Sequence, residues 1–217
     1  MEQRVVSLGG NCMATMEMRK FFGTEEANLF DWWITPAHAL VRLIEDDFAE
    51  LFARENLQIV GDGRSVANLR YGILHHHDFP RNEEERVVTI DEGHRQGNLE
   101  KFTYLKQRWD DLADNQGRVL FVRWGWKMQE PLLAGIPPDP GCPDLATLVT
   151  ALDRKFPRLD YQVLLIDTPE VSHDHPKVLY RDSGAFTEPG EYLDAADLLR
   201  KDNAAIFSRL FSTVSSR

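Results

Sequence analysis

The sequence predicts an α/β fold, a mostly parallel sheet with helices on both faces. Residues 118–124 and 162–167 are short, nearly continuous apolar runs, which are typical of strands buried on both sides of a parallel sheet. Between them, residues 144–156 repeat apolar side chains at spacings of three and four, which indicates an amphipathic helix. The order strand, helix, strand is that of a βαβ unit, for which we expect a right-handed crossover.

The beginning of the chain shows the same order of elements. Residues 4–8 predict a buried strand, and Gly9 and Gly10 then interrupt it. A helix is expected over residues 12–22, with Asn11 as its N-cap. In such sheets, ligands bind at the carboxyl ends of the strands. Functional residues are therefore expected near four segments: 7–12, 123–127, 167–170 and 181–182.

The segment between the predicted strands contains the clearest helix signal. Thr35 is expected to cap this helix and Pro36 to occupy its first turn. The apolar positions that follow recur at spacings of three and four: Ala37, Leu40, Val41, Ile44, Phe48, Leu51 and Phe52. Weaker strands are expected at 57–61, 70–74 and 177–180, and further helices at 99–112 and 192–213. We predict a single domain over residues 1–217, with an insertion at about 24–98.

Composition limits the class of protein. The 217 residues are 42% hydrophobic, which is enough for a core, so the chain is not expected to be disordered. The 25 basic and 35 acidic residues give a net charge of −10, which argues against nucleic acid or a membrane surface as a partner. The first residues carry no apolar signal segment, and no run approaches the roughly 20 residues of a membrane span. We therefore expect a cytoplasmic protein.

Cys12 occupies the most informative position in the sequence. It would lie in the first turn of a helix, where free backbone N–H groups and the helix dipole stabilise a thiolate. The same N–H groups could stabilise an oxyanion, and the preceding glycines would let a substrate approach the backbone. Cys12 is therefore either a nucleophile or a small buried apolar residue. Cys142 lies in a Gly-Cys-Pro loop with no activating neighbour, and two cysteines do not make a disulfide scaffold.

His75, His76, His77 and Asp78 form the second candidate group. If the preceding strand continues, His75 and His77 face one way and His76 the other. One of the three could act as a general base for Cys12, with a carboxylate or an amide orienting its ring. Histidines that are exposed or paired without a catalytic role are the other interpretation.

A metal site is a further alternative for the histidines. The run at 75–77 could join His173, Asp174 and His175 in a His/Asp cluster. This arrangement requires two distant loops to meet, and neither loop has a recognised ligand spacing. We therefore predict no metal and no cofactor.

Three further residues could support chemistry at these positions. Asp31 precedes two tryptophans and could orient a histidine or cap a turn. Arg123 lies at the end of a predicted strand and could bind an anionic substrate or pair with a carboxylate. Ser7 could donate a hydrogen bond near Cys12.

Four segments carry motifs that occur in a fixed order. These are Ser-Leu-Gly-Gly-Asn-Cys at 7–12, Asn-Leu-Phe-Asp-Trp-Trp at 28–33, His-His-Asp-Phe at 76–79 and Val-Leu-Phe-Val-Arg at 119–123. Together they resemble a bacterial family of unknown function that is catalogued as putative papain-like cysteine peptidases. Leu29 replaces the proline of that family's Pro-Phe-Asp-Trp motif.

The resemblance implies Cys12 as the nucleophile and His77 as the base, with Asp31 or Asp78 as a third member. A papain-like core is α+β, which is the alternative to the parallel sheet. The leading hypothesis is a cysteine-dependent hydrolase or acyl-transfer enzyme of peptidase type. The N–H groups near Gly10 and Asn11 would hold the oxyanion. A peptide or an acyl compound is the expected substrate.

Two alternatives belong to other classes of protein. One is a non-catalytic binding module for a small anionic or carbohydrate-linked ligand, which would be bound by Arg123, the tryptophans and histidines such as His76. The other is a metal-dependent hydrolase that uses His75, His77 and His175.

Overall fold

The computed structural model describes residues 4–10, 12–125, 145–167, 175–182 and 203–215. The strands are β1 (Arg4–Ser7), β2 (Trp33–Ile34), β3 (Leu57–Val60), β4 (Ser65–Asn68), β5 (Ile73–His75), β6 (Val119–Trp124), β7 (Tyr161–Ile166) and β8 (Val178–Arg181). The α-helices are α1 (Cys12–Phe22), α2 (Ala37–Glu45), α3 (Glu92–Asp110), α4 (Leu145–Lys155) and α5 (Asn203–Ser215). Short 3-10 turns occur at Arg54–Asn56 and Asp111–Asp114.

Four of these strands form a parallel sheet. Their order is β1-β6-β7-β8, and every neighbouring pair runs parallel. Helix α4 lies between β6 and β7 in the chain, as in a βαβ unit. A second, antiparallel sheet has the order β2-β5-β4-β3. The mixed α/β class with a parallel sheet is therefore confirmed, and the antiparallel sheet adds an α+β element that lies within residues 33–75.

Successive side chains of the parallel sheet enter two different cores, one on each face. In β6, Val119 and Phe121 belong to the core that contains residues of α2, α3 and α4. Leu120, Val122 and Trp124 belong to the core that contains residues of α1 and α5. Both faces of β6 are thus buried, which explains why its sequence is apolar at nearly every position instead of alternating.

Trp109 of α3 joins the two halves of the larger core. Its ring lies 5.5 Å from that of Phe30 and 6.2 Å from that of Phe48, which precede and follow α2. It also lies 5.8 Å from the ring of Phe121 in β6 and 5.0 Å from that of Phe156 after α4. Aromatic packing of this kind holds the segment that carries the antiparallel sheet against the parallel sheet.

Helix α2 is shorter than the periodic apolar pattern predicts. It ends at Glu45, because Asp47 and Phe48 adopt left-handed φ angles of 51° and 61°. The N–H of Phe48 donates to the carbonyl of Leu43 at 2.9 Å, which closes the helix end. The apolar side chains beyond this point are still buried, so the pattern predicted their burial correctly and their helical conformation wrongly.

Helix α1 has the predicted bounds, whereas the start of α3 differs from the predicted one. Helix α3 begins at Glu92, earlier than the predicted residue 99, and Asp91 caps it by accepting a hydrogen bond from the N–H of His94 at 3.0 Å. Helix α5 begins at Asn203, and the earlier part of the predicted helix 192–213 lies outside the described residues. None of the helices in the described part of the chain is long and apolar enough to span a bilayer.

The turn between β1 and α1 lies directly against the end of β6. Gly9 and Gly10 have φ angles of +73° and +101°, a region that favours glycine. A Cβ atom on Gly10 would lie 1.9 Å from the carbonyl oxygen of Trp124, so only glycine allows this approach. The contact places the start of α1 at the carboxyl edge of the parallel sheet.

Replacing Gly10 by alanine should therefore destabilise the protein. The added Cβ would collide with the backbone of Trp124 and would also strain φ. We expect Gly10→Ala to lower the free energy of unfolding by about 3 kcal/mol or more, measured by urea denaturation. Gly23→Ala is the matched control, because Gly23 has a φ of +63° but nothing within 4 Å of its Cβ position. Gly23→Ala should lower the free energy of unfolding by only about 1 kcal/mol. Equal losses of stability in the two variants would contradict a collision between the added Cβ at position 10 and the backbone of Trp124.

Candidate active site

Cys12 is the first residue of α1 and lies at the carboxyl edge of the parallel sheet. Its side chain is partly exposed. Burial raises the pKa of the Cys12 thiol above its ordinary value of 9.0, and a backbone hydrogen bond offsets only part of this effect. The N-terminus of α1 therefore does not bring the pKa of the Cys12 thiol below its ordinary value, and the stabilisation of a Cys12 thiolate during a reaction stays a prediction. The thiol is protonated and needs a base before it can attack a substrate.

Asp31 lies next to α1, and its carboxylate is fully buried. Oδ2 accepts hydrogen bonds from the Arg19 guanidinium at 2.6 Å and from the N–H of Asn28 at 2.8 Å, while Oδ1 lies 3.4 Å from the Thr15 hydroxyl. Burial raises the pKa of Asp31, whereas the N–H of Asn28 and the charge of Arg19 oppose the rise. No histidine is among the hydrogen-bond partners of Asp31 in the described residues, and its role as a third catalytic member stays a prediction.

Ser7 connects this buried network to the turn that precedes Cys12. Its Oγ accepts a hydrogen bond from the N–H of Gly9 at 3.1 Å and lies 3.2 Å from the hydroxyl of Thr15 in α1. The Ser7 side chain is buried, and these contacts hold the turn in place. A hydrogen bond from Ser7 to a substrate remains a prediction.

Arg123 is buried at the end of β6, between the two sheets. Its guanidinium donates to the carbonyl of Leu8 at 3.2 Å and to the carbonyl of Thr35 at 2.8 Å. It therefore links Leu8, which follows β1, to Thr35, which follows β2. These contacts give the side chain a role within the fold, and the binding of an anionic substrate by Arg123 stays a prediction.

His75 and Asp78 form a buried carboxylate–imidazole pair at the end of β5. Asp78 Oδ2 accepts from His75 Nδ1 at 3.0 Å and from Trp33 Nε1 at 2.8 Å, and Oδ1 lies 3.3 Å from the Lys101 ammonium. These groups lower the pKa of Asp78 to about 2 although burial opposes the shift. The histidine that a carboxylate orients is therefore His75, and its side chain is fully buried.

His77 is exposed and lies in a different environment. Its ring and the Trp32 ring form a T-shaped pair at a centroid distance of 5.8 Å, and the Arg19 guanidinium lies 5.7 Å from the centroid of the same tryptophan. Partial burial and the charge of Arg81 lower the pKa of His77 below 6.5, so its imidazole is neutral at pH 7. Burial and the neighbouring His77 lower the pKa of His76 to about 4. Strand β5 ends at His75, so the predicted strand alternation does not extend to the two histidines that follow.

Cys12 and the candidate histidines lie on different elements of the fold, Cys12 at the start of α1 and the histidines at and after the end of β5. In the described residues, no hydrogen bond connects the Cys12 thiol to a ring nitrogen of His75, His76 or His77. Arg19 lies on the same side of α1 as Cys12, two turns later. Its guanidinium bonds to Asp31 and lies 5.7 Å from the ring of Trp32, which contacts His77.

Some of the predicted residues are not among those that the structure describes. Asn11, Cys142, His173 and Asp174 lie outside the described residues, as do segments 126–127 and 168–170. The described residues contain no group of three His, Cys, Asp or Glu side chains that could hold a metal ion.

Sequence reasoning missed the roles of Arg19, Trp33 and Lys101. Each contacts a candidate carboxylate that is distant in the chain or on another element, so no local spacing indicated it.

The fold and the site together define an α/β protein with a cysteine at the start of the helix that follows its first strand. Residues 3–70 match the model of a family described as a putative papain-like cysteine peptidase (DUF1796). The matched segment includes Cys12 and Asp31 and ends before His77 and Asp78. No curated protein and no solved structure matches the chain.

Asp78 should contribute to stability in a pH-dependent way. Its lowered pKa means that the stabilisation is complete above about pH 4 and is lost as the pH falls towards about 2. At pH 7, Asp78→Asn should reduce the free energy of unfolding by about 3 kcal/mol, because His75, Trp33 and Lys101 lose a charged acceptor. Urea denaturation at several pH values measures both effects.

The difference in the free energy of unfolding between the wild type and Asp78→Asn should become smaller below pH 4. Asp114→Asn, at an exposed site, is the control and should change stability little. A difference that stays constant from pH 7 to pH 2 would contradict a lowered pKa at Asp78.

Proposed function

We propose that this protein is a cysteine-dependent hydrolase or acyl-transfer enzyme of peptidase type, with Cys12 as its nucleophile. The position of Cys12 carries the proposal. It is partly exposed, it opens α1, and it follows a turn that Gly10 fixes against the end of β6. Backbone N–H groups at a helix start are free to stabilise a developing oxyanion. The family match supports this class of enzyme because the matched segment contains Cys12.

In the proposed reaction, Cys12 Sγ attacks a carbonyl carbon while its proton passes to His77. The π electrons of the carbonyl move onto its oxygen, which becomes the oxyanion. When the carbonyl re-forms, the leaving group departs with the proton from His77. The resulting thioester on Cys12 is then resolved by water in hydrolysis, or by an amine or alcohol in acyl transfer.

His77 is the proposed base because it is neutral and exposed. Its lowered pKa leaves a lone pair on the ring at pH 7, and no hydrogen bond to its ring nitrogens occurs within the described residues. His75, in contrast, is fully buried and engaged with Asp78. We propose that His77 and Cys12 come into contact when substrate binds, since catalytic hydrogen bonds often tighten only in the complex.

The nucleophile is tested with p-nitrophenyl acetate, a small acyl donor. The wild type should release p-nitrophenol and form an acetyl thioester on Cys12, which intact-protein and peptide mass spectrometry locate. Cys12→Ala should remove both signals, whereas Cys142→Ser, which changes the other cysteine, should retain them. Acetylation that persists in Cys12→Ala, or no reaction in the wild type, would overturn the proposal.

The base is tested by comparing two neighbouring histidines with the same probe. His77→Gln should reduce the acylation rate by roughly 10²-fold or more, and the remaining rate should rise with pH as the thiol ionises by itself. His76→Gln is the matched control and should leave the acylation rate near that of the wild type. Equal rates in wild type and His77→Gln would show that His77 is not the base.

A further inference from the structure

Met16 is an exposed apolar residue one turn after Cys12. It is 41% exposed, and within the described part of the chain the other large apolar residues exposed to this degree are Val88 and Tyr104. Val88 lies between β5 and α3 and Tyr104 lies in α3, whereas Met16 belongs to α1, the helix that begins with Cys12. A methionine in water forgoes the free energy that its burial would provide, so its place beside the proposed nucleophile calls for a functional explanation.

Helix geometry places the Met16 side chain next to the Cys12 thiol. Residues four apart in an α-helix share one face, with about 6 Å between their Cβ atoms. Helical side chains also lean towards the N-terminus, so Met16 covers the surface over the first turn of α1, which contains Cys12. Both residues are accessible, since Cys12 is partly exposed and Met16 is exposed. A group bonded to Cys12 Sγ can therefore contact Met16 without any rearrangement of the backbone.

Arg19 continues the same face of α1 and leads to Trp32 and His77. It lies three residues after Met16, which is the other spacing that brings helical side chains together. Its guanidinium lies 5.7 Å from the centroid of the Trp32 ring, which forms a T-shaped pair with His77. Trp32 is only partly buried. The Trp32–His77 pair therefore lies on the side of α1 that carries Met16.

The charges on this side of α1 are already paired. Arg19 forms an ion pair with Asp31 at 2.6 Å, and Lys20 forms one with Glu17 at 2.8 Å. The surface that remains for a substrate beside Cys12 is the flexible thioether chain of Met16. Methionine is unbranched and polarizable, so it adapts to apolar groups of different shapes. This surface favours an apolar group over a charged one.

We propose that Met16 is a specificity-determining residue, which binds an apolar acyl group of the substrate while Cys12 attacks the carbonyl carbon of that group. This inference rests on the proposed function of Cys12 and names its substrate class, acyl donors whose acyl group is apolar over several carbon atoms. The acyl group stays bonded to the carbonyl carbon throughout the reaction. When the leaving group departs with its proton, the acyl group is held as a thioester on Sγ, with its chain on Met16.

The test compares p-nitrophenyl hexanoate with p-nitrophenyl acetate, which has four methylene groups fewer. Each acylation rate of Cys12 is divided by the rate of the same ester with free cysteine, which removes the difference in intrinsic reactivity. The corrected rate of the wild type should be roughly 10-fold higher with hexanoate. A methylene that leaves water completely contributes roughly fourfold, and a chain that lies on a surface loses water on one side only.

Variants at Met16 test whether this residue causes the preference. Met16→Gln keeps an unbranched chain of similar length and adds a polar end, so the ratio of the two corrected rates should fall to about one. Met16→Leu, which stays apolar, should retain most of the preference. Val88→Thr is the matched control, because it makes an exposed apolar residue polar elsewhere in the chain, and it should keep the ratio of the wild type. Since both sites are exposed, neither Met16→Gln nor Val88→Thr should lower Tm.

Alkylation provides a second readout that does not require hydrolase activity. N-hexyl iodoacetamide and iodoacetamide both alkylate a thiol without an oxyanion or a general acid. Peptide mass spectrometry measures the modification of Cys12 separately from that of Cys142. The hexyl reagent should alkylate Cys12 several times faster in the wild type, and Met16→Gln should abolish this difference.

Three results would overturn the proposal for Met16. They are equal corrected rates with the two esters in the wild type, an unchanged ratio in Met16→Gln, and a fall of the ratio in Val88→Thr that equals the fall in Met16→Gln. If the wild type forms no thioester with either ester, the function proposed for Cys12 fails, and the alkylation rates alone then decide whether Met16 binds apolar groups. If the wild type forms thioesters without a preference for hexanoate, only the inference fails.

Discussion

The negative charge of the buried Asp31 carboxylate needs a positive charge and hydrogen-bond donors around it. The groups that provide them belong to α1, the helix that begins with Cys12, and to the segment before β2. Arg19 supplies the opposite charge from α1, and the N–H of Asn28 donates from the segment before β2. Thr15 extends the network to Ser7, which holds the N–H of Gly9. An ionised carboxylate cannot be buried without such partners. Helix α1 is therefore fixed relative to β1, and with it the position of its first residue.

The parts of the fold that could be predicted from the sequence are those set by local patterns. Strands β6 and β7 are buried on both faces, so their apolar runs are visible without knowledge of their partners. The antiparallel sheet is different, because β2 has two residues and β5 has three. Strands this short depend on pairing with distant residues, such as Trp33 with His75. The end of α2 depends on the left-handed conformation of Phe48, which no periodicity reveals.

The same distinction applies to the candidate site. The glycines before Cys12 and the helix after it are local features, and the sequence predicted both. The pairing of Asp78 with His75 was not predictable, because three consecutive histidines cannot be distinguished by their sequence neighbours. The ring that is buried belongs to His75 because β5 ends at this residue. Thr35 is the clearest example. The sequence predicts that its side chain caps α2, but the N-cap residue is Pro36 and the Thr35 hydroxyl has no hydrogen-bond partner in the described residues. Only the three-dimensional contacts distinguish these two outcomes.

The protonation states in the structure constrain any reaction at Cys12. Burial keeps the thiol pKa above 9.0, while the pKa of His77 lies below 6.5. At neutral pH the favoured pair is thus a neutral thiol and a neutral imidazole, and a resting thiolate–imidazolium pair is disfavoured. Proton transfer then has to accompany attack on the substrate. In the proposed reaction, stabilisation of the oxyanion by backbone N–H groups at the start of α1 would supply the driving force that the thiol itself lacks, so the acid–base residue and the oxyanion donors would act in the same step.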